Sequence, residues 1–126
     1  MSKYFIALFG DPNRQNKTRV ESGWYPSEKG FHPNRQVAPG DVLLLYCTGR
    51  YPINKQSIVG LGDVFSSTTS DGLRYQYSPI KPPISRAAVK DALAEEERQR
   101  FNLLYRSSNW LIEITEPSFR AILRLA

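Results

Sequence analysis

Pro39-Gly40-Asp41, Val42-Leu43-Leu44-Leu45-Tyr46-Cys47, a polar loop, and Ser57-Ile58-Val59-Gly60-Leu61-Gly62-Asp63-Val64 form the stretch that decides the fold. A Gly-Asp turn feeds one apolar strand, and the strand that returns carries glycines in its interior. Glycine weakens a strand, so two of them mark a bend or a close backbone approach. The stretch predicts a small, strongly curved β-barrel.

Working outward, Tyr4 to Phe9 is a continuous apolar run of the kind buried on both faces. Asp41 to Cys47 is another, and Ser57 to Phe65 is the glycine-bearing strand. Leu73 to Ile80 alternates Leu73, Tyr75 and Tyr77 with Arg74, Gln76 and Ser78, the period of a half-buried strand. Trp110 to Thr115 alternates more loosely and closes the set. A helical zone begins at Ser85, an N-cap after Pro82-Pro83, and runs to about Tyr105 with a charged break at Glu95-Glu96-Glu97. A second begins at Thr115-Glu116-Pro117 and repeats Phe119, Ile122, Leu123 and Ala126 at helical spacing. The expected class is α+β, a curved mixed barrel of five or six strands with helices packed at its ends.

The 126 residues make one domain, 1–126, with enough apolar content for one core. The apolar run near the start is too short for a signal or membrane segment, so a soluble cytoplasmic chain with no membrane partner is expected. One cysteine excludes an internal disulfide framework. The formal charge is +5, and residues 1–60 hold eight Lys/Arg against four Asp/Glu. That excess is consistent with a polyanion, whose counterions are released when cations neutralise phosphates. Arg14, Lys17, Arg19, Arg35 and Lys81 are the phosphate-binding candidates.

Asp11 to Gly40 is a different kind of segment, thirty residues with four prolines, three glycines and the aromatics Trp24, Tyr25 and Phe31. Long ordered loops are generally functional, and embedded aromatics argue for order. A tryptophan in such a loop either plugs it onto the barrel or offers a face for a base to stack on. The catalytic inventory is thin by comparison. The lone histidine, His32, has no second histidine for a metal or a triad, and Gly60-Leu61-Gly62 has no following lysine to make a phosphate loop. Cys47 reads as a buried small residue. No enzyme, metal or cofactor is expected.

Taken in order, these parts resemble the EVE family, PUA-like domains related to the YTH readers of methylated RNA. The likeness covers nearly the whole chain: Tyr4-Phe5-Ile6-Ala7-Leu8, the loop tryptophan Trp24, Asn34-Arg35-Gln36 before Pro39-Gly40-Asp41, then Leu45-Tyr46-Cys47-Thr48. It continues through Ile58 to Val64, and Leu111 to Thr115 followed by Phe119 and Ile122-Leu123. In EVE domains the matching tryptophan lines the pocket, and the strand usually reads Phe-Tyr-His-Ser; here it reads Leu-Tyr-Cys-Thr. Gly23-Trp24-Tyr25-Pro26-Ser27 looks similar to the cage-tryptophan loop of YTH domains.

The resemblance implies a non-catalytic module that reads a modified base flipped out of nucleic acid into an aromatic pocket. Methylated or hydroxymethylated cytosine in DNA and modified RNA bases are the candidate ligands, and any effector would be a separate protein. It further implies a pocket with Trp24 as one wall, Tyr46 and Thr48 as floor, Tyr25 also in the pocket, and Asp11 or Asn13 at the base edge. A second cage tryptophan of the YTH type has no clear counterpart, and Tyr75 or Leu73 would substitute for it. Two competing classes are an ASCH-like RNA-processing enzyme of the same superfamily and a small-molecule or protein-binding barrel. The ASCH type carries a lysine and acidic pair near the first strand that is not found here.

Overall fold

The computed structural model describes residues 2–12, 18–27, 32–103 and 111–126. Six strands form one mixed, curled sheet: β1 (Tyr4–Phe9), β2 (Trp24–Tyr25), β3 (Val42–Cys47), β4 (Ser57–Thr68), β5 (Gly72–Ser85) and β6 (Leu111–Ile114). Their order is β2-β5-β4-β3-β1-β6; β1 and β3 run parallel and every other pair is antiparallel. Three helices accompany them, α1 (Arg86–Ala92), α2 (Glu95–Asn102) and α3 (Glu116–Leu123). The expected α+β curved mixed barrel is the fold observed.

Strand alternation divides the interior into two cores. Phe5, Ala7 and Phe9 of β1 with Leu43, Leu45 and Cys47 of β3 face a cluster closed by Val20, Val37 and Tyr51 from the connecting segments. Ile6, Leu8, Leu44 and Tyr46 face the other way, under Val89, Phe101, Phe119 and Ile122 of the helices. The central strands are apolar on both faces because each face has its own cover.

The hairpin of β4 and β5 is longer than the sequence predicts. Ser66, Ser67 and Thr68 read as loop, yet they pair with Arg74, Leu73 and Gly72. Gly72 permits the close turn, with φ +89°, and a side chain there would collide with the Tyr25 carbonyl and the Ser27 amide. At the other end β5 continues through its prolines to Ser85, which caps α1 by accepting from the Ala88 amide. The helical zone divides between Ala92 and Glu95; Leu104, Tyr105 and Trp110 lie outside the described residues, as does Phe31.

Glu97 fixes the helices to the sheet. It is 3% exposed, and its carboxylate accepts from the Ala94 amide at 3.0 Å, the Thr115 amide at 2.6 Å and the Ser118 hydroxyl at 2.5 Å. One side chain therefore caps the start of α2 and joins it to the start of α3. A glutamine in its place presents an NH2 group to one of these donors. Glu97→Gln is expected to lower unfolding free energy by about 1–3 kcal/mol, read as a shift in the urea midpoint at unchanged slope. A change under about 0.5 kcal/mol, the range of ordinary surface substitutions, would mean the carboxylate holds nothing.

Candidate functional site

The segment from Thr18 to Ser27 is bolted to the barrel by tyrosines. The Val20 amide donates to the Tyr51 hydroxyl at 3.1 Å, and the Tyr75 hydroxyl donates to the Val20 carbonyl. Tyr25 donates to the Leu8 carbonyl at 3.0 Å and packs edge-on against Phe9. Burial pushes the Tyr51 and Tyr75 hydroxyls above their ordinary value of 10.0.

These bonds redistribute the predicted pocket residues. Tyr25 and Tyr75 are core residues whose hydroxyls hold backbone, so neither has a face to offer a base. Tyr46 points to the opposite side of the sheet, edge-on to Phe101 and within 3.4 Å of an Arg86 nitrogen, so it shares no pocket with them. Thr48 is buried at the end of β3, where its amide donates to the Phe9 carbonyl and its hydroxyl oxygen accepts from the Arg50 amide. Asp11 follows β1 two residues after that carbonyl. Asn13, Arg14 and Lys17 lie outside the described residues.

Trp24 stands apart from all of these. Tyr25 takes the inward position of β2, and successive strand residues alternate, so Trp24 faces away from the core. It is half-buried, its indole N–H donates to the Asp71 carbonyl at 2.7 Å, and the Arg74 guanidinium lies 4.7 Å from its ring centre. Asp71 in turn holds Arg74 through two bonds, of 2.8 and 3.1 Å. Among the described residues Trp24 is thus a fixed aromatic on the outside of the hairpin.

Among the described residues there is a groove at the surface, and an irregularity of the sheet makes it. Between the pairs Gly60↔Pro79 and Ile58↔Ile84, β4 advances two residues while β5 advances five. The surplus residues of β5, with Lys81 and its cis bond to Pro82 among them, stand out from the sheet. They form one wall of a groove of about 370 Å³ that also includes Pro79, Ile80 and Pro83. Asn54 from the β3–β4 turn, Val59 and Tyr77 line the remainder. Tyr77 reaches this place because Gly60 faces it: a Cβ at residue 60 would sit 2.6 Å from its ring.

Tyr77 is partly buried, and among the described residues nothing bonds its hydroxyl, which burial and the neighbouring Glu21 carboxylate push above the ordinary value. The groove therefore offers an aromatic ring with a usable hydroxyl, one amide, one ammonium and an otherwise apolar lining. Sequence reasoning missed Tyr77 as a site residue. The available signal was a tyrosine on the alternating face of one strand and an interior glycine in the strand expected to pair with it.

Arg19 and Lys81 belong to the groove end, Arg19 beside the clamped Val20 and Lys81 in the groove wall. Arg35 belongs to the far end, on the 3-10 turn Pro33–Arg35 that Asn34 ties to Thr69 of the hairpin. All three are exposed and make no ion pair among the described residues. Among the described residues no group of His, Cys, Asp and Glu is placed to hold a metal, and no helix is long and apolar enough to cross a membrane.

Cys47 lies close enough to the groove to be questioned as a nucleophile. Burial pushes its thiol up to about 12, with the Glu21 carboxylate acting in the same direction. At pH 8 about one molecule in ten thousand would carry the thiolate. Folded protein is expected to leave a colourimetric disulfide reagent unreacted and to release one equivalent on unfolding; rapid labelling in buffer would show an open thiol instead. The tyrosines predict alkaline behaviour. Their folded values are raised, so the neutral form is favoured in the fold; this stability is complete below pH 10 and is lost as pH rises further. Tyr75→Phe should start less stable and lose stability less steeply above pH 10, measured by urea midpoints across that range.

No family model matches the chain, and no curated protein matches it. Among solved structures the chain is similar to protein Atu2648 from Agrobacterium tumefaciens, with a TM-score of 0.63 and 15% identity, covering 98% of this chain and 92% of that one. It is also similar to Rpa0253 from Rhodopseudomonas palustris, with a TM-score of 0.65, 15% identity and the same coverage, 98% and 92%. At this identity the likeness is one of fold, across the full length of the curled sheet and its helices.

Proposed function

We propose that this chain is a non-catalytic nucleic-acid-binding module of the EVE type that seats a single modified base in the groove between the β3–β4 turn and the bulged part of β5. The observation that carries the reading is the groove itself, in which Tyr77, Asn54 and Lys81 converge on an apolar lining. Its volume of about 370 Å³ falls near the lower end of ligand sites, about 300–1,000 Å³, which suits one nucleotide unit. A tyrosine ring supplies a stacking face, an asparagine side chain can both donate to and accept from a base edge, and an ammonium suits a phosphate. The apolar remainder favours a base carrying an added alkyl group, since a methyl buried there leaves water. The order of motifs shared with EVE domains supports the same reading. Binding alone is asked of these residues.

The test compares the two candidate aromatics. Tyr77→Ala is expected to weaken binding to single strands carrying methylated cytosine or methylated adenine by roughly 1–3 kcal/mol, and to shrink the preference over plain strands. Trp24→Ala, on the outside of the hairpin, should leave that preference intact. The reverse result would move the base to the Trp24 and Arg74 surface. Absence of binding to any oligonucleotide, with retention of a small heterocycle in the groove, would make the chain a small-molecule binder.

A further inference from the structure

We infer that the β3–β4 turn is a phosphate grip, with Arg50 and Lys55 opposing Lys81 across the groove, so that the site takes a nucleotide within a strand and discriminates against a free base or nucleoside. The inference rests on the reading above and adds to it the part of the ligand that the groove cannot enclose.

The turn is built to hold cations at the surface. Tyr51 at its heart is 1% exposed; its amide donates to the Thr48 carbonyl and its hydroxyl accepts from Val20. Gly49 lies against the Gln56 side chain, so the two ends of the turn are drawn together. Asn54 and Gln56 both adopt left-handed backbone conformations, with φ of 51° and 57°. For glutamine this is an uncommon and costly conformation, and such residues concentrate where structure is arranged for binding. Arg86 donates its amide to the Gln56 carbonyl, which ties this end of the turn to the start of α1.

On this fixed support Arg50 and Lys55 are exposed, and neither makes an ion pair among the described residues. Lys55 follows Asn54, which lines the groove, and Lys81 stands in the opposite wall. Arg50 neighbours Tyr51, whose bond to Val20 brings Arg19 to the same corner. Cations flanking an apolar slot from two sides match a base with its sugar–phosphate chain running over the mouth. Phosphate contacts position such a strand, while the slot specifies the base.

The experiment measures the affinity of the intact chain for fluorescein-labelled short single strands, RNA and DNA, with and without one methylated base, at several salt concentrations. For single strands each lost phosphate contact lowers the slope of log affinity against log salt by about 0.7. Arg50→Ala with Lys55→Ala should therefore lower it by about 1.4 for plain and methylated strands alike, leaving their ratio unchanged. Arg124→Ala, an exposed cation at the end of α3, controls for net charge and should leave the slope in place. A methylated nucleoside without phosphate should compete far more weakly than the matching strand. An unchanged slope in the double variant, with Tyr77→Ala still shrinking the preference, would overturn the grip and keep the reading of the groove. Equal competition by nucleoside and strand would do the same. Failure of every strand to bind would overturn both.

Discussion

Val20 is where the structure is tied together. Its amide and its carbonyl are both taken by tyrosine hydroxyls, one from the β3–β4 turn and one from β5. Buried backbone groups must be paired, and Val20 lies in no strand that could pair them. Tyr51 and Tyr75 do so from two separated elements, which allows the valine side chain to enter the first core. Ordering a long loop costs roughly 1–2 kcal/mol per residue in backbone entropy, so that loop needs anchors of this kind. The same bonds satisfy both phenols, which would otherwise be buried without partners.

The clamp also depends on glycine. Tyr75 lies against Gly62 and Tyr77 against Gly60, where a Cβ would meet the rings at 2.7 and 2.6 Å. With a side chain at either position, the tyrosine would be displaced from the sheet, and Tyr75 would no longer reach Val20. Two glycines therefore set the positions of two tyrosines with different tasks. One locks the loop, and the next along the strand, still paired with Gly62 two residues before the irregularity, makes no hydroxyl bond among the described residues.

The strands and helices were legible because their signals are local. The apolar runs of β1 and β3, the Ser85 and Thr115 caps and the proline at the start of α3 depend on few distant partners. The ends of the long hairpin were not legible, since Ser66 to Thr68 and the prolines of β5 are poor strand formers held by cross-strand pairing and register shifts. The site was harder still. A tryptophan in a polar loop attracts attention, yet a two-residue pairing decides which way it faces, and that pairing gives Tyr25 the inward place. Similarly, the sequence groups Tyr46 with the loop, whereas alternation along β3 places it beneath the helices. Groove residues Asn54, Tyr77 and Lys81 come from two separate stretches, the β3–β4 turn and β5, and only the unequal advance of β4 and β5 brings them together.

This origin explains how a groove can form here without interrupting the barrel. The β1–β3 ladder runs without a register shift and the β3–β4 ladder with one, between Leu45 and Tyr46, while α2 and α3 are secured separately through Glu97. The groove is formed where β5 has already left the ladder, so its exposed prolines, Asn54 and Lys81 add little to either apolar cluster. The Glu21 carboxylate acts together with burial in the same corner: both raise the Tyr51 and Tyr77 hydroxyls and the Cys47 thiol, so the groups gathered beside the clamped Val20 stay neutral.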